Sequence, residues 1–473
     1  MVDERIIPVD VHDMMRARDA RLERQQALLR EGGASLICFT MNIAGPVKNN
    51  RKIRAGFCAA VQDIKRKLAH SGVCVLRQET LCAPTGNEWY GLTDGAAHRV
   101  KQLMLELEER DGFGRLLDID VLDTDGVKID RTAFGLPPRA CLICGAAGSA
   151  CASSRAHSAQ EVYQRAMALL DAHLARLRAD RIAEFACRAL LYEVCVTPKP
   201  GLVDRENTGS HSDMDIFTFA ASAAALTPYF RDCAWTGARL SEKPPMQTME
   251  PLHDAGQTAQ EDMLRATGGV NTHKGAIYLM GILCAVVGRL CAGEDGFSIE
   301  RAGEVCAEMT AGELGRLKQA QGETARTKGA ALYRRYGVAG VRGEAMSGLR
   351  SVREIAIPWI RKARARGMSL NDACGCALCH LIAGVEDTAF ISRAGYEAWQ
   401  RCAQEMAEAL RFDPFPASGQ LAQWDAAYRS RSYSPGGCAD LLACGLFLLF
   451  CEQQWAKRES EEDGCAAMRE APL

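Results

Sequence analysis

The sequence has almost no net charge. Its 57 Lys and Arg stand against 59 Asp and Glu, leaving −2 over 473 residues. So even a balance gives no signal for broad binding to nucleic acid or to an acidic membrane surface. Long apolar runs are missing too. The most apolar windows, GAIYLMGILCAVV and CADLLACGLFLLFC, fall short of the roughly 20 residues a membrane span needs. The opening MVDERIIPVDVHDMM has no apolar stretch of the signal-peptide kind. Cysteine, by contrast, is plentiful at 21 residues. Without a secretory signal these read as free thiols in a reducing cytoplasm. Cys284, Cys291, Cys444 and Cys451 sit in apolar helical patterns and read as small core residues.

The length predicts two domains, and composition is ordinary for a globular chain, 48% hydrophobic and 25% charged. The pattern changes near residue 178. Residues 1–178 alternate helical and strand patterns. Helices are expected over 12–31, 56–70 and 95–110, and strands over 35–43, 72–81 and 87–93. GRLLDIDVLDTDGVKIDRTAFG reads as a hairpin turning at Asp125-Gly126. This order predicts an α+β domain with a mixed or antiparallel sheet. Residues 179–473 show helical spacing almost throughout, predicting an all-α domain. There, 235–255 reads as a loop, 327–349 as a glycine-rich basic lid, and the tail from 460 as disordered.

Three features of the first domain could carry chemistry. Asp118 and Asp120 lie two apart on a strand and so face the same side. Their mutual repulsion is relieved by a shared Mg²⁺, which also binds phosphate oxygens; a solvated strand face is the alternative. Lys48, Arg51, Lys52 and Arg54 lie between a strand and a helix. They could neutralise phosphates or form a solvated turn. Cys141, Cys144, Cys151 and His157 offer three thiols and an imidazole suited to Zn²⁺, or are free cysteines in a reduced loop.

In the second domain the polar stretch TPKPGLVDRENTGSHSDMD (197–215) is clamped between two apolar helices, and loops so held are where sites tend to sit. It contains Lys199, Asp204, Arg205, Asn207, His211, Asp213 and Asp215. A capping box from Ser212 to Asp215 would explain the last acid alone. Gly268 and Gly269, before Asn271, Thr272, His273 and Lys274, open an apolar helix and form a plausible phosphate seat. Glu386, Asp387 and Asp440 also fall at helix starts. Acids there can be simple dipole partners or the ligands of one Mg²⁺ gathered from separate helix ends. Cys376-x-x-Cys379-His380 spells a haem attachment pattern, but it lies inside an apolar helix.

Four strings, TPKPGLVDRENTGSHSDMD, TGGVNTHKGAIY, EDTAF and SPGGCADLLA, resemble the triphosphoribosyl-dephospho-CoA synthase family. ICFTMNIAGPVKNN, GRLLDIDV and LPPRACLIC, in the first domain, resemble the holo-citrate lyase synthase family, a phosphoribosyl-dephospho-CoA transferase. A strand, a basic loop and a DxD strand together resemble a nucleotidyltransferase core. The resemblance implies a fusion of two consecutive steps. The second domain would take ATP and 3'-dephospho-CoA, release adenine, and make 2'-(5''-triphosphoribosyl)-3'-dephospho-CoA. The first would move the phosphoribosyl-dephospho-CoA group to a serine of the citrate lyase acyl-carrier (gamma) subunit and release diphosphate.

On that reading Asp118 and Asp120 hold Mg²⁺ in the loading step, with Lys48, Arg51 and Arg115 on substrate. Asp213, Asp215, Glu386, Asp387 and Asp440 hold Mg²⁺ or act as base in the synthesis step. Lys199, Asp204, Arg205, Asn207, His211, Gly269, Asn271, His273 and Lys274 meet the substrates. Three rival readings use the same residues: maturation of malonate decarboxylase, an ADP-ribosylglycohydrolase-like hydrolase, and a cysteine-rich metal-binding adaptor without catalysis.

Overall fold

The computed structural model describes residues 7–293, 296–315 and 328–460. Its contacts divide the chain into two units, with the boundary between Leu174 and Ala175.

Unit one runs α1 (Val11–Arg30), β1 (Ser35–Met41), α2 (Arg51–His70), β2 (Val75–Ala83), β3 (Gly86–Thr93), α3 (Ala97–Glu109), β4 (Leu117–Leu122) and α4 (Gly148–Ser154). The strands form one sheet in the order β2-β3-β1-β4. Every pairing is antiparallel, which selects the antiparallel alternative and sets aside the mixed one. SLICFTM is apolar almost throughout because β1 is a central strand covered on both faces. One face packs Ile37, Phe39, Trp89, Ile119 and Val121 against Phe57, Ile64, Val100 and Met104 of α2 and α3. The other packs Leu36, Cys38, Tyr90 and Leu92 beneath Leu28 of α1.

The expected hairpin forms only its turn. Asp123 Oδ1 accepts from the amides of Asp125 and Val127, and Gly126 takes φ +79. The returning arm then makes a single bridge, Leu122 to Lys128. Nothing in a four-stranded antiparallel sheet covered by helices is specific to a nucleotidyltransferase core.

Helix α5 (Ala159–Cys195) spans the boundary between the units. Unit two continues with α6 (Ile216–Arg239), α7 (Met249–Ala266), α8 (Lys274–Ala292), α9 (Ile299–Thr310), α10 (Lys328–Tyr336), α11 (Gly340–Met346) and α12 (Ile357–Ala365). It ends with α13 (Leu370–Gly384), α14 (Thr388–Ala394), α15 (Tyr396–Phe412), α16 (Ser418–Ser430) and α17 (Gly436–Ser460). Among the described residues this unit has no strand, as its helical spacing predicts.

The lid stretch 328–349 holds two short helices, α10 and α11, and the tail lies outside the described residues. The 235–255 loop shrinks to a short link, because α6 runs on to Arg239 and α7 begins at Met249. Buried Arg289 of α8 fixes that link by donating to the carbonyls of Leu240, Ser241 and Lys243 and to Thr248 Oγ1.

The two apolar windows lie inside α8 and α17, which are long and apolar enough to cross a membrane; the expectation that they are too short is corrected. Both are mostly buried within unit two. Helices α6 and α8 approach until a Cβ at Gly237 would stand 2.0 Å from Ala285 O, and one at Gly288 2.1 Å from Ala234 O. Only glycine permits that spacing.

Candidate active sites

The 197–215 loop is a hydrogen-bonded structure rather than a spacer. Asp204, 2% exposed, accepts from the amides of Glu206 and Asn207 through Oδ1 and from Lys199 N through Oδ2. Asp425 of α16 accepts from Gly201 N at 3.0 Å and from Asn207 Nδ2 at 3.1 Å. Gly201 has φ +69, and a Cβ there would stand 2.1 Å from Tyr433 O. Arg205 is exposed but donates to Thr197 Oγ1 and Asn371 Oδ1. Asp204 and Asn207 therefore shape the loop.

Lys199 is 1% exposed, and its Nζ reaches Glu193 Oε1 at 2.6 Å and Glu193 O at 2.9 Å. Removing one partner of a buried pair leaves an uncompensated charge. Lys199→Met is therefore expected to destabilise unit two by roughly 3–5 kcal/mol, measured by urea unfolding. A loss below about 1 kcal/mol, the range of an exposed pair, would contradict that account.

Past Gly268 and Gly269 the chain enters α8. Their φ values, +65 and +93, set the turn. Asn271 and Lys274 are exposed there. His273 is buried: Nδ1 lies 2.7 Å from Ser222 Oγ, and Nε2 has no hydrogen-bond partner. Burial, reinforced by the Lys199 charge, pushes its pKa down to about 3. The unfolded chain binds that proton from about pH 6.5 downward and the folded chain does not. Stability from this group is therefore present above pH 6.5 and lost as pH falls towards 3. His273→Asn should flatten the acid limb of the stability profile over that window, measured by urea unfolding from pH 4 to 7. An unchanged slope would contradict a buried neutral imidazole.

Asp387 and Asp440 come together. Asp387 is 2% exposed; its Oδ1 accepts from Ala389 N and Phe390 N, and its Oδ2 from Cys438 N at 3.0 Å. Burial raises its pKa against the lowering by these amides. Asp440 lies one turn into α17. Burial first, then the charges of Glu193 and Asp387, push it well above the usual carboxylate range. Among the described residues no hydrogen bond reaches its carboxyl group. Asp440 Oδ2 sits so close to the first turn of α8 that a Cβ at Gly275 would be 2.1 Å away.

Asp387 and the exposed Glu386 also line a cavity of about 500 Å³ with Glu344, Arg350 and Glu354. Glu344 accepts from Ser351 Oγ at 2.5 Å and Arg350 pairs with Glu354 at 2.8 Å.

The acids of the 197–215 loop stand differently. Asp215 is the N-cap of α6; its Oδ1 accepts from Thr218 N and Thr218 Oγ1. The capping box thus runs from Asp215 to Thr218, not from Ser212 to Asp215. Asp213 is exposed, 3.9 Å from His211 Nδ1. His211 Nε2 lies 2.9 Å from Ser434 Oγ, which ties this part of the loop to the segment leading into α17. Burial, with Arg393 nearby, lowers the His211 pKa against the pull of Asp213.

Four groups escaped sequence reasoning: Glu193, Glu344, Ser222 and Asp425. None stands in a motif, and only folding brings each to the site. In the haem-like pattern, Cys376 and Cys379 are buried and His380 stacks on Trp359 at 3.5 Å.

In unit one, Asp118 and Asp120 share the α1 face of β4, while Leu117, Ile119 and Val121 point into the core. Registers place Glu88, Thr40 and Asp118 in one cross-strand row. Glu88 is held by Arg21 at 2.6 Å and by the Tyr90 hydroxyl. Asp120 pairs with Lys128 at 2.6 Å. At the free edge of β4, buried Glu108 accepts from Ile119 N and buried Lys101 donates to Ile119 O at 2.6 Å. Those two side chains, which no motif flagged, fix the backbone between the two aspartates. Lys48 donates to Ile43 O, and burial lowers its pKa; Arg51 is exposed at the start of α2.

Arg115 donates to Ala140 O. It lines a second cavity, of about 720 Å³, with Asn42, Arg139 and Arg155. Cys141, Cys151 and His157 line this cavity, and their donor atoms and that of Cys144 all lie within 4.8 Å of one another. The adjoining His157 imidazole, then Ala146 and Cys151, bring the Cys144 thiol down to about 6.

An oxygen-rich acidic site beside a helix N-terminus in unit two, and carboxylates opposite cations in unit one, are features of enzymes that handle nucleotide phosphates. The comparisons specify which. Residues 179–459 match the family described as ATP:dephospho-CoA triphosphoribosyl transferase, and residues 9–173 match apo-citrate lyase phosphoribosyl-dephospho-CoA transferase.

A relative called CitXG from Haemophilus influenzae is 32% identical over 455 residues, 93% of this chain and 96% of its own length. Another CitXG, from Leuconostoc mesenteroides, is 28% identical over 91% of this chain and 95% of its own length. A 2-(5''-triphosphoribosyl)-3'-dephosphocoenzyme-A synthase from Klebsiella pneumoniae is 38% identical over 58% of this chain and 91% of its own length. The chain belongs to the ATP:dephospho-CoA triphosphoribosyl transferase family, here fused behind an apo-citrate lyase phosphoribosyl-dephospho-CoA transferase domain, and is a transferase.

Proposed function

We propose that the chain carries out two successive steps in maturing the citrate lyase prosthetic group. Residues 179–473 join ATP to 3'-dephospho-CoA, giving 2'-(5''-triphosphoribosyl)-3'-dephospho-CoA and adenine. Residues 1–178 transfer the phosphoribosyl-dephospho-CoA group to a serine of the acyl-carrier subunit, and diphosphate leaves. The match of two families, in this order, along one chain carries the reading.

In the first step the bond from ribose C1' to adenine breaks, and a bond from C1' to the 2'-oxygen of dephospho-CoA forms. The hydroxyl proton goes to a base, and the leaving adenine takes up one proton in its place, so the step neither gains nor loses protons overall. Displacements of this kind pass through an oxocarbenium-like state. Asp440, lacking a hydrogen bond and crowded by Glu193 and Asp387, suits a cation in an all-oxygen setting. Asp440 and Asp387 would hold Mg²⁺, which when bound offsets triphosphate charge. Lys274 and the amides opening α8 seat phosphate oxygens. Asp213 and Glu386, exposed and close to Asp387 and Asp440 in the motif order, are the candidates for the base. His273, buried and neutral, supports the opening of α8 through Ser222 rather than facing the nucleotide.

In the second step Asp118 and Asp120 present oxygen ligands for Mg²⁺ on one strand face. Arg115 and Lys48 take substrate phosphates. Cytoplasmic residence fits both ATP as substrate and the free cysteines.

Adenine release tests the synthesis step: it should require dephospho-CoA. Release of ADP-ribose without any acceptor would mean a hydrolase instead. Offering the citrate lyase and malonate decarboxylase carriers side by side tests the partner, and only the first is expected to gain mass.

A further inference from the structure

From Arg131 to Gln160 no described side chain is buried. An excursion of that length normally needs an apolar anchor to offset the entropy of ordering it. Here the chain is nevertheless folded on itself. Ala140 and Ala147 form an antiparallel bridge. Cys141 N donates to Ala146 O at 2.6 Å, and Gly145 N to Cys141 O at 3.2 Å. Gly145 takes φ +76 to make the turn, and Ile143 N points at Cys141 Sγ at 3.5 Å. Helix α4 then returns Cys151, and its start lies so near the incoming arm that a Cβ at Gly148 would be 2.8 Å from Arg139 O. His157 follows just before α5.

The result is that four soft or borderline donors, far apart in the loop, have ligand atoms all within 4.8 Å of one another. Cys144 Sγ and Cys151 Sγ are 3.4 Å apart. Zn–S near 2.3 Å and Zn–N near 2.0 Å give tetrahedral edges of about 3.5–3.8 Å, so small adjustments close the shell. A second observation points to a ligand: on the half-buried His157 ring the Nε2 atom is shielded from solvent and has no hydrogen-bond partner. A buried ring nitrogen left without a partner is costly, and metal coordination satisfies it.

We propose that Cys141, Cys144, Cys151 and His157 bind one structural Zn²⁺, which anchors the 137–158 excursion where apolar packing does not. Three thiolates and an imidazole select zinc over magnesium or calcium, whose ligands are oxygens. All four positions are filled by protein, so the ion is structural rather than catalytic. Binding displaces the thiol protons, up to three per ion. The excursion contributes Arg139 and Arg155 to the 720 Å³ cavity that also holds Arg115, so the ion would shape one wall of that cavity.

The experiment uses the full chain without a histidine tag, purified under reducing conditions. Zinc is counted by elemental mass spectrometry, and the chain is then reloaded with Co²⁺. The expected results are close to one zinc per chain and the absorption of tetrahedral thiolate-bound cobalt. Both should be lost in Cys144→Ser and Cys151→Ser and kept in the control Cys74→Ser, an exposed cysteine outside the cluster. Should a cluster variant fail to fold, the cobalt spectrum of the parent chain decides alone. Metal-free protein lacking tetrahedral cobalt bands would overturn the proposal, as would zinc that persists in both cluster variants.

Discussion

Asp440→Asn is expected to lower adenine release by roughly 10²–10³-fold, the range for losing one group that stabilises charge in the transition state. The carrier-loading step, assayed with supplied triphosphoribosyl-dephospho-CoA, should keep its rate. The reason lies in the surroundings of Asp440. It is crowded by Glu193 and Asp387, its pKa is pushed up, and no hydrogen bond compensates it among the described residues. A fold keeps such a carboxyl group at a cost in stability, so the neutral amide should fold at least as well.

Gly275→Ala separates geometry from charge. Its Cβ would stand 2.1 Å from Asp440 Oδ2, so the carboxyl group must move while its charge remains. Adenine release should fall in this variant too, and carrier loading should not. Full synthesis activity in Asp440→Asn would remove Asp440 from the mechanism.

The converse pattern is expected for Asp118→Asn and Asp120→Asn. Carrier loading should drop by roughly 10²–10³-fold, with adenine release unchanged. Both carboxylates lie on one face of an edge strand, and the backbone between them is fixed by buried Glu108 and Lys101. Asp120 already holds Lys128 at 2.6 Å, so this variant also frees a cation. Lys128→Ala is therefore the control: a merely structural ion pair predicts the same loss from either partner, whereas a metal ligand predicts loss from Asp120 alone.

Much of this was legible in the sequence, for physical reasons. Helical spacing marked most helices of unit two, but not α10, α11 or α16, whose apolar pattern is slight; α16 buries Leu421, Asp425 and Tyr428. The continuous apolar run of β1 and the alternation of Leu117, Ile119 and Val121 with Asp118 and Asp120 marked strands. Sheet direction was legible only as mixed or antiparallel, since pairing depends on residues far apart. The 235–255 connection misled because its prolines begin a helix instead of a loop, and the partner that holds it, Arg289, is remote.

At the site, motif positions named Asp387, Asp440 and His273, while Glu193 and Glu344 carry no local signal. Burial also reassigned roles. Lys199 is held by Glu193, and Asp204 and Asp215 by backbone amides. Those residues build the scaffold on which the free groups act.

The most direct test is mass spectrometry of the citrate lyase acyl-carrier subunit after incubation with ATP, 3'-dephospho-CoA and this protein. The account predicts that the carrier gains one phosphoribosyl-dephospho-CoA group and that one adenine appears for each. Asp440→Asn should regain that mass shift once the triphosphoribosyl intermediate is supplied, and Asp118→Asn should not. A carrier of unchanged mass in the presence of released adenine, or a shift that requires no ATP, would contradict it.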